Sequence, residues 1–230
     1  MLKHADEAAA KTSKKDKDVR RKELKAAISP DLVKLVEEQG EELLRETSAS
    51  LLVAEILLSA DGGKCTNPQA QDIVLTTASL DKSKALETIA TPLKTPYPNP
   101  APADSDPDPA TAHILDLGHA VRTYKTLLAG GRFSTATSSV EDYDEQLQRR
   151  FANLFYEAVT CREAGGAQNL ANIALGNATF ALLELLSALK DDKEKLAVIK
   201  QTLRGKEILP DIEKSWRKGA KPLYEALKAL

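Results

Sequence analysis

The stretch "TSKKDKDVRRKELKAAISPDLVKLV", Thr12 to Val36, decides how the chain is read. From Asp16 to Ala27 every residue tolerates a helix, and neither Gly nor Pro interrupts it. In a helix, Lys14, Lys17, Arg21 and Lys25 recur at spacings of 3, 4 and 4 and share one face. Lys15, Arg20 and Lys22 lie beside that face, diluted by Asp16, Asp18 and Glu23. A start signal follows. Ser29 suits a cap, Pro30 the first helical position, and Asp31 the positive end of the helix dipole. Leu32, Leu35 and Val36 supply an apolar side, and Gly40 marks a stop. The spacing therefore predicts a basic helix leading into a second, separately capped apolar helix.

Working outward, a short turn "EELLR" comes next, and Ser48 is placed to cap a third helix carrying Leu51, Leu52, Ile56 and Leu57. The same order of short and long helices returns in "HILDLGHAVRTYKTLLAG" (His113 to Gly130), broken at Leu117-Gly118. It returns again in "NLANIALGNATFALLELLSAL" (Asn169 to Leu189), broken at Gly176-Asn177. The last instance is "DIEKSWRKGAKPLYEALKAL" (Asp211 to Leu230), broken at Lys218-Gly219. Strand-like alternation with hairpin turns is nearly absent. The expectation is an all-α stack of helical repeats with irregular spacing, an α-solenoid forming one domain over residues 1–230. Two interruptions are expected to be loops within it. Residues 92–109 hold seven of the eleven prolines with Asp104, Asp106 and Asp108, and read as a mobile acidic loop outside the core. Residues 130–144, rich in Gly, Ser and Thr, read as a second loop.

Apolar residues make up 42% and charged residues 29%, a balance that suits a packed core. The longest apolar runs, such as "SLLVAEILLSA", are too short to span a bilayer, and no secretory signal is expected. Cys65 and Cys161 are isolated thiols, as in a reducing compartment. The net charge of −2 hides an uneven distribution: residues 1–25 sum to +4, residues 190–230 to +4, and the middle to −10. Basic ends present a local field to phosphate whatever the total.

The opening segment, continued through "EELLRETSASLLVAEILLSADGGK", resembles the start of the C-terminal domain of the Puf-A/Penguin family, nucleolar Pumilio-like proteins, in a fungal form. The segments "HILDLGHAVRTYKTLL", "FANLFYEAV", "NLANIALGNATFALLELL" and "KGAKPLYEAL" follow in that domain's order. The resemblance covers most of the chain from about Thr12 and omits the family's longer N-terminal repeat array. It implies tandem three-helix repeats and RNA binding. It further implies work in large-ribosomal-subunit assembly in the nucleolus and, in fungal members, repression of messenger RNAs.

Pumilio-type repeats read one base each through the first, second and fifth residues after a Gly at a helix start. After Ser48 these are Ala49, Ser50 and Val53; after Gly118, His119, Ala120 and Thr123. After Gly176 they are Asn177, Ala178 and Ala181; after Gly219, Ala220, Lys221 and Tyr224. No set joins an amide or carboxylate to a stacking side chain, so the discrimination of about 1–3 kcal/mol per bidentate contact is not on offer. Binding is expected to rest on phosphates instead. One candidate patch is the Lys14 to Lys25 face; a second is Lys214, Arg217, Lys218 and Lys221, with Arg122 and Lys125 of the middle helix as a connection.

The remaining candidates weigh little. Trp216, the sole tryptophan, is expected to seal the core against the last repeat rather than stack on a base. His4, His113 and His119 lack neighbours at metal-ligand spacing, so no metal or cofactor is expected. There is no Gly-x-Ser-x-Gly elbow and no P-loop, and an enzyme is not expected. The rival to RNA binding is a protein scaffold whose acidic middle, including Glu37, Glu38, Glu41 and Glu42, docks basic ribosomal or assembly proteins.

Overall fold

The computed structural model describes residues 16–60, 80–99, 106–131, 145–205 and 208–230. For Lys17, Asp18 and Lys22 only their place in a helix is described. Among these residues every regular element is helical. The helices are α1 (Lys17–Arg45), α2 (Thr47–Ser59), α3 (Ser83–Ala90), α4 (Gly118–Leu128) and α5 (Glu145–Thr160). They continue as α6 (Gln168–Ala174), α7 (Thr179–Ala188), α8 (Lys193–Leu203), α9 (Ile208–Lys214) and α10 (Ala220–Ala229). The all-α repeat reading holds.

Two features of the opening stretch differ from their reading. α1 runs unbroken through Ser29-Pro30 and through Gly40. Pro30 sacrifices one backbone hydrogen bond, but helix-forming residues on both sides keep the helix going. Ser29 does not cap; it is buried, and its Oγ donates back to the Lys25 carbonyl at 2.7 Å. Gly40 is a contact point rather than a stop. A Cβ there would lie 3.0 Å from Ile89 Cγ2, so glycine lets α3 approach the C-terminal part of α1. The third expected helix starts at Thr47, preceded by Glu46 with no side-chain cap. Ser48 thus sits in its first turn, and Leu51 and Leu52 face solvent while Val53, Ile56 and Leu57 are buried.

The four helices that follow the predicted breaks, α2, α4, α7 and α10, pack each against the next in a single row. α3, α5, α6 and α8 pack successively in a second layer, which meets that row through α5 and α6, and α1 covers α2 and α3 at one end. One apolar cluster runs through the whole stack, from Val33 and Val36 to Leu223 and Leu227. Its middle is aromatic: Tyr124 stacks on Phe151 at 6.1 Å and meets Phe155 edge-on at 5.8 Å. The Tyr124 hydroxyl donates to the Ile89 carbonyl at 2.9 Å, and full burial pushes its phenol well above the usual range.

The Pro-rich stretch is only partly outside this core. Pro92 and Leu93 are buried in a 3-10 turn (Thr91–Lys94), and Tyr97 is buried after it. Apolar residues among the prolines explain the correction, since Leu93 and Tyr97 have more to gain from burial than the prolines lose. Residues 100–105 and most of the Gly/Ser/Thr-rich segment, 132–144, lie outside the described residues.

Candidate nucleic-acid interface

The base-reading positions are where sequence and structure meet most directly. Ser50, Val53, Ala120, Thr123, Ala178, Ala181 and Ala220 are all buried in the seams of the helix row. Polar side chains in these seams hold neighbouring repeats together. Thr123 Oγ1 donates to the Ser50 carbonyl at 2.7 Å, and Thr179 Oγ1 to the Lys218 carbonyl at 2.7 Å. His119 Nε2 lies 3.0 Å from the Arg45 carbonyl, and Nδ1 lies 3.5 Å from the Thr47 hydroxyl. The imidazole therefore links α1, α2 and α4, a role beyond the solvated or capping residue its position suggests.

Asn177 is likewise committed. Its side-chain oxygen accepts from Arg217 Nη1, and its Nδ2 donates to Asp116 Oδ1 at 3.3 Å. Asp116 in turn accepts from the Tyr97 hydroxyl at 2.5 Å, and that hydroxyl lies 3.3 Å from the Asn177 backbone N–H. Burial, and then the bond to Asp116, push the Tyr97 phenol far above its ordinary pKa, so it stays protonated and donates. A Cβ at Gly176 would fall 2.4 Å from the Tyr97 oxygen, so only glycine leaves room for this ring. Tyr97 is also tied at its backbone, its N–H donating to Asn169 Oδ1 at 2.8 Å. The result is a polar chain, Tyr97–Asp116–Asn177–Arg217, buried at its first two members and half-buried at the others, that fixes the last side chain from beneath.

Around Arg217 the second basic patch comes together. Lys214, Lys218 and Lys221 are exposed, and none forms an ion pair among the described residues. Gly219, between the last two, has φ +93°, a left-handed turn that other residues resist, and a Cβ there would meet Thr179 Oγ1 at 2.6 Å. The ring of Phe180 abuts the same glycine, and Lys125 Nζ sits 5.1 Å over that ring. Phe180 thus carries the connection from α4 to the patch that Lys125 was expected to make. Arg122 is exposed on the same helix. Asp211 and Glu213, both exposed on α9, dilute the field.

The first patch is separate. α1 lies at the opposite end of the row from α10. Arg21 is exposed and Arg20 and Lys25 are half-buried, while Lys14 and Lys15 fall outside the described residues. No described side chain from Asp16 to Ile28 is buried, so this part of the helix projects beyond the core, with Leu24 and Ile28 open to solvent at 55% and 52% exposure.

Trp216 overturns its expectation. It does not seal the core: it is 68% exposed, on the short link between α9 and α10. Only Ile212 of α9 is fully buried, with Ile208 and Leu209 half-buried against the core near the helix start, and Trp216 lies beyond these anchors at the surface. The rings of the central core are supplied from α4 and α5. The one hint in the sequence is composition: a tryptophan between Ser215 and Arg217, followed by Lys218-Gly219, sits in a polar turn.

The acidic residues expected to dock a protein are largely matched locally. Glu37 pairs with Lys84 at 3.6 Å, Glu38 with Lys34 at 3.8 Å, and Glu41 with Arg45 at 3.3 Å. Among the described residues, no three His, Cys, Asp or Glu side chains gather closely enough to hold a metal ion. No described helix is long and apolar enough to cross a membrane.

The sequence profile of the CPL (NUC119) domain matches residues 1–138. Pumilio homology domain family member 6 of Schizosaccharomyces pombe is 29% identical over 227 residues, which is 99% of this chain and 29% of that protein. Human Pumilio homolog 3 is 48% identical over 50 residues, 22% of this chain and 8% of that protein. The chain therefore spans less than a third of the length of either relative. No solved structure matches it. The resemblance to fungal Puf-A-like proteins is borne out. With more than half its length matched by the profile, the chain belongs to the CPL (NUC119) domain family of Pumilio-homology proteins.

Proposed function

We propose that this domain binds RNA through the phosphate backbone, without reading sequence, as part of a nucleolar factor for large-ribosomal-subunit assembly. One observation carries the RNA-binding part. Seven of the twelve positions that match base readers in Pumilio-type repeats are buried in helix seams, whereas Lys214, Lys218 and Lys221, the last itself one of the twelve, stand exposed at the C-terminal end with no ion pair among the described residues. Such an array neutralises phosphates and positions a strand without discriminating its bases. Family membership supports the nucleic-acid class; nucleolar location, ribosomal RNA as ligand and repression of particular messengers rest on the family resemblance alone. The alternative, an acidic dock for basic ribosomal or assembly proteins, has less support because Glu37, Glu38 and Glu41 already have cationic partners.

Fluorescence anisotropy with several unrelated RNA sequences across a salt series tests the proposal. Affinity should vary little among sequences and fall steeply with salt. Binding confined to one sequence, or insensitive to salt, contradicts it.

A further inference from the structure

We propose that Trp216 is a stacking platform for an unpaired base, which gives the C-terminal end a preference for single-stranded over duplex RNA. The inference rests on the phosphate-binding reading and adds a ligand class to it.

Exposure is the first observation. A tryptophan is large and apolar, and leaving 68% of it in water forgoes burial that the large rings of the core obtain. Orientation is the second. The Arg217 guanidinium lies 5.1 Å from the ring centroid and backs the indole. Arg217 is itself held by Asn177, at the end of the buried chain from Tyr97 and Asp116. The backbone on either side is fixed too: the Ser215 N–H donates to the Ile212 carbonyl at 3.2 Å and the Ala220 N–H to the Arg217 carbonyl at 3.1 Å. The ring is therefore presented on a short, tied link, and little order remains to be imposed when a ligand arrives. Charge is the third. Lys214 and Lys218 flank the tryptophan at two residues on either side, and Lys221 follows. An aromatic face beside a row of cations is the chemistry of single-strand binding: the lysines follow phosphates while the ring takes a base of any identity. A duplex keeps its bases stacked within the helix and offers the ring nothing but its backbone.

Trp216 is the sole tryptophan, so its emission reports on this position alone. The full chain would be titrated with a mixed-sequence single-stranded RNA of about ten nucleotides, and with a duplex of the same length. Indole emission and the anisotropy of labelled RNA would be followed together, with poly-glutamate as a polyanion lacking bases. Single-stranded RNA should quench the emission with the same midpoint as the anisotropy, and poly-glutamate should not. Trp216→Ala should weaken single-strand binding roughly tenfold or more and leave duplex binding within about twofold. Trp216→Phe, which keeps a ring, should recover most of the loss. Since the residue is exposed, thermal melts of both variants should match the parent.

If RNA binds by anisotropy while emission is unchanged and Trp216→Ala binds normally, the stacking role is overturned and phosphate binding stands. Equal quenching by poly-glutamate, or equal losses for single strand and duplex, also overturns it. If no RNA binds at low salt, both readings fall.

Discussion

Residues 1–25 and 190–230 carry the same net charge, +4 each, but the described parts of the two form different surfaces. At the first end the described cations, Arg20, Arg21 and Lys25, ride on turns of α1 that bury no described side chain, with Glu23 among them and Leu24 and Ile28 exposed alongside. At the other end, the exposed lysines and Trp216 surround an arginine that a polar chain rooted in the buried Tyr97 and Asp116 holds in place. Equal charge counts thus give surfaces that are unequally ordered. A cation on a projecting helix is free to reach a phosphate but must be ordered when it does so. An arginine held from below, beside an aromatic ring, is already arranged for the phosphate that the proposed function assigns to this end.

The strongest way to break this comparison is to reverse charge at each end in turn. Lys214→Glu, Lys218→Glu and Lys221→Glu together should lower RNA affinity by about two orders of magnitude at low salt, measured by anisotropy. All three residues are exposed, so circular dichroism should show an unchanged fold. Asn177→Ala sharpens the comparison by removing the support under Arg217. It deprives Asp116 and Arg217 of a partner each, and should cost about 1–3 kcal/mol of stability in denaturant titrations along with a loss of RNA affinity. The equivalent reversal at the first end, Arg21→Glu with Lys25→Glu, should cost only about threefold to tenfold in affinity. A loss matching that of the C-terminal variant would erase the distinction between the ends.

The smallest effect comes from pH. His113 lies edge-on to Tyr97 at 5.0 Å, its Nδ1 accepts from the Leu115 N–H at 3.1 Å, and its Nε2 reaches the Thr95 carbonyl at 3.1 Å. Burial holds the imidazole below its ordinary value of 6.5. The folded state therefore binds fewer protons than the unfolded chain near and below that value, so stability rises with pH through this window. It is fully present above pH 6.5 and is lost as the pH falls toward the lower folded value. Thermal melts from pH 7.5 to 5 should show a modest decline that His113→Gln removes. Because His113 braces Tyr97, RNA binding should weaken over the same range.

The helix breaks at Gly118, Gly176 and Gly219 are legible in the sequence, and the four helices α2, α4, α7 and α10 can be aligned from it and do pack in one row. At Gly176 and Gly219 the glycine permits a close approach that other residues would block, whereas Gly118 opens α4 with no neighbour within 4 Å of a Cβ. Pro30 and Gly40 mislead for a related reason. Each has a local meaning as a helix boundary, but Pro30 is carried by helix-forming neighbours and Gly40 answers to Ile89, about fifty positions away in the chain. The basic residues of the C-terminal end are identifiable from spacing alone. What spacing cannot supply is depth: only the polar composition of the turn around Trp216 hints that this tryptophan stands on the surface rather than sealing the core. Nor does it reveal that Tyr97, within a Pro-rich stretch, supports an arginine 120 positions later.

The measurement that bears most directly on the account is the salt dependence of single-stranded RNA binding by the parent chain and by the Lys214/Lys218/Lys221→Glu variant. If these lysines contact phosphates, the slope of log affinity against log salt should become shallower by about 2, the share of three contacts on a single strand. An unchanged slope would mean that the strand passes elsewhere, and the C-terminal end would no longer be the RNA-binding surface.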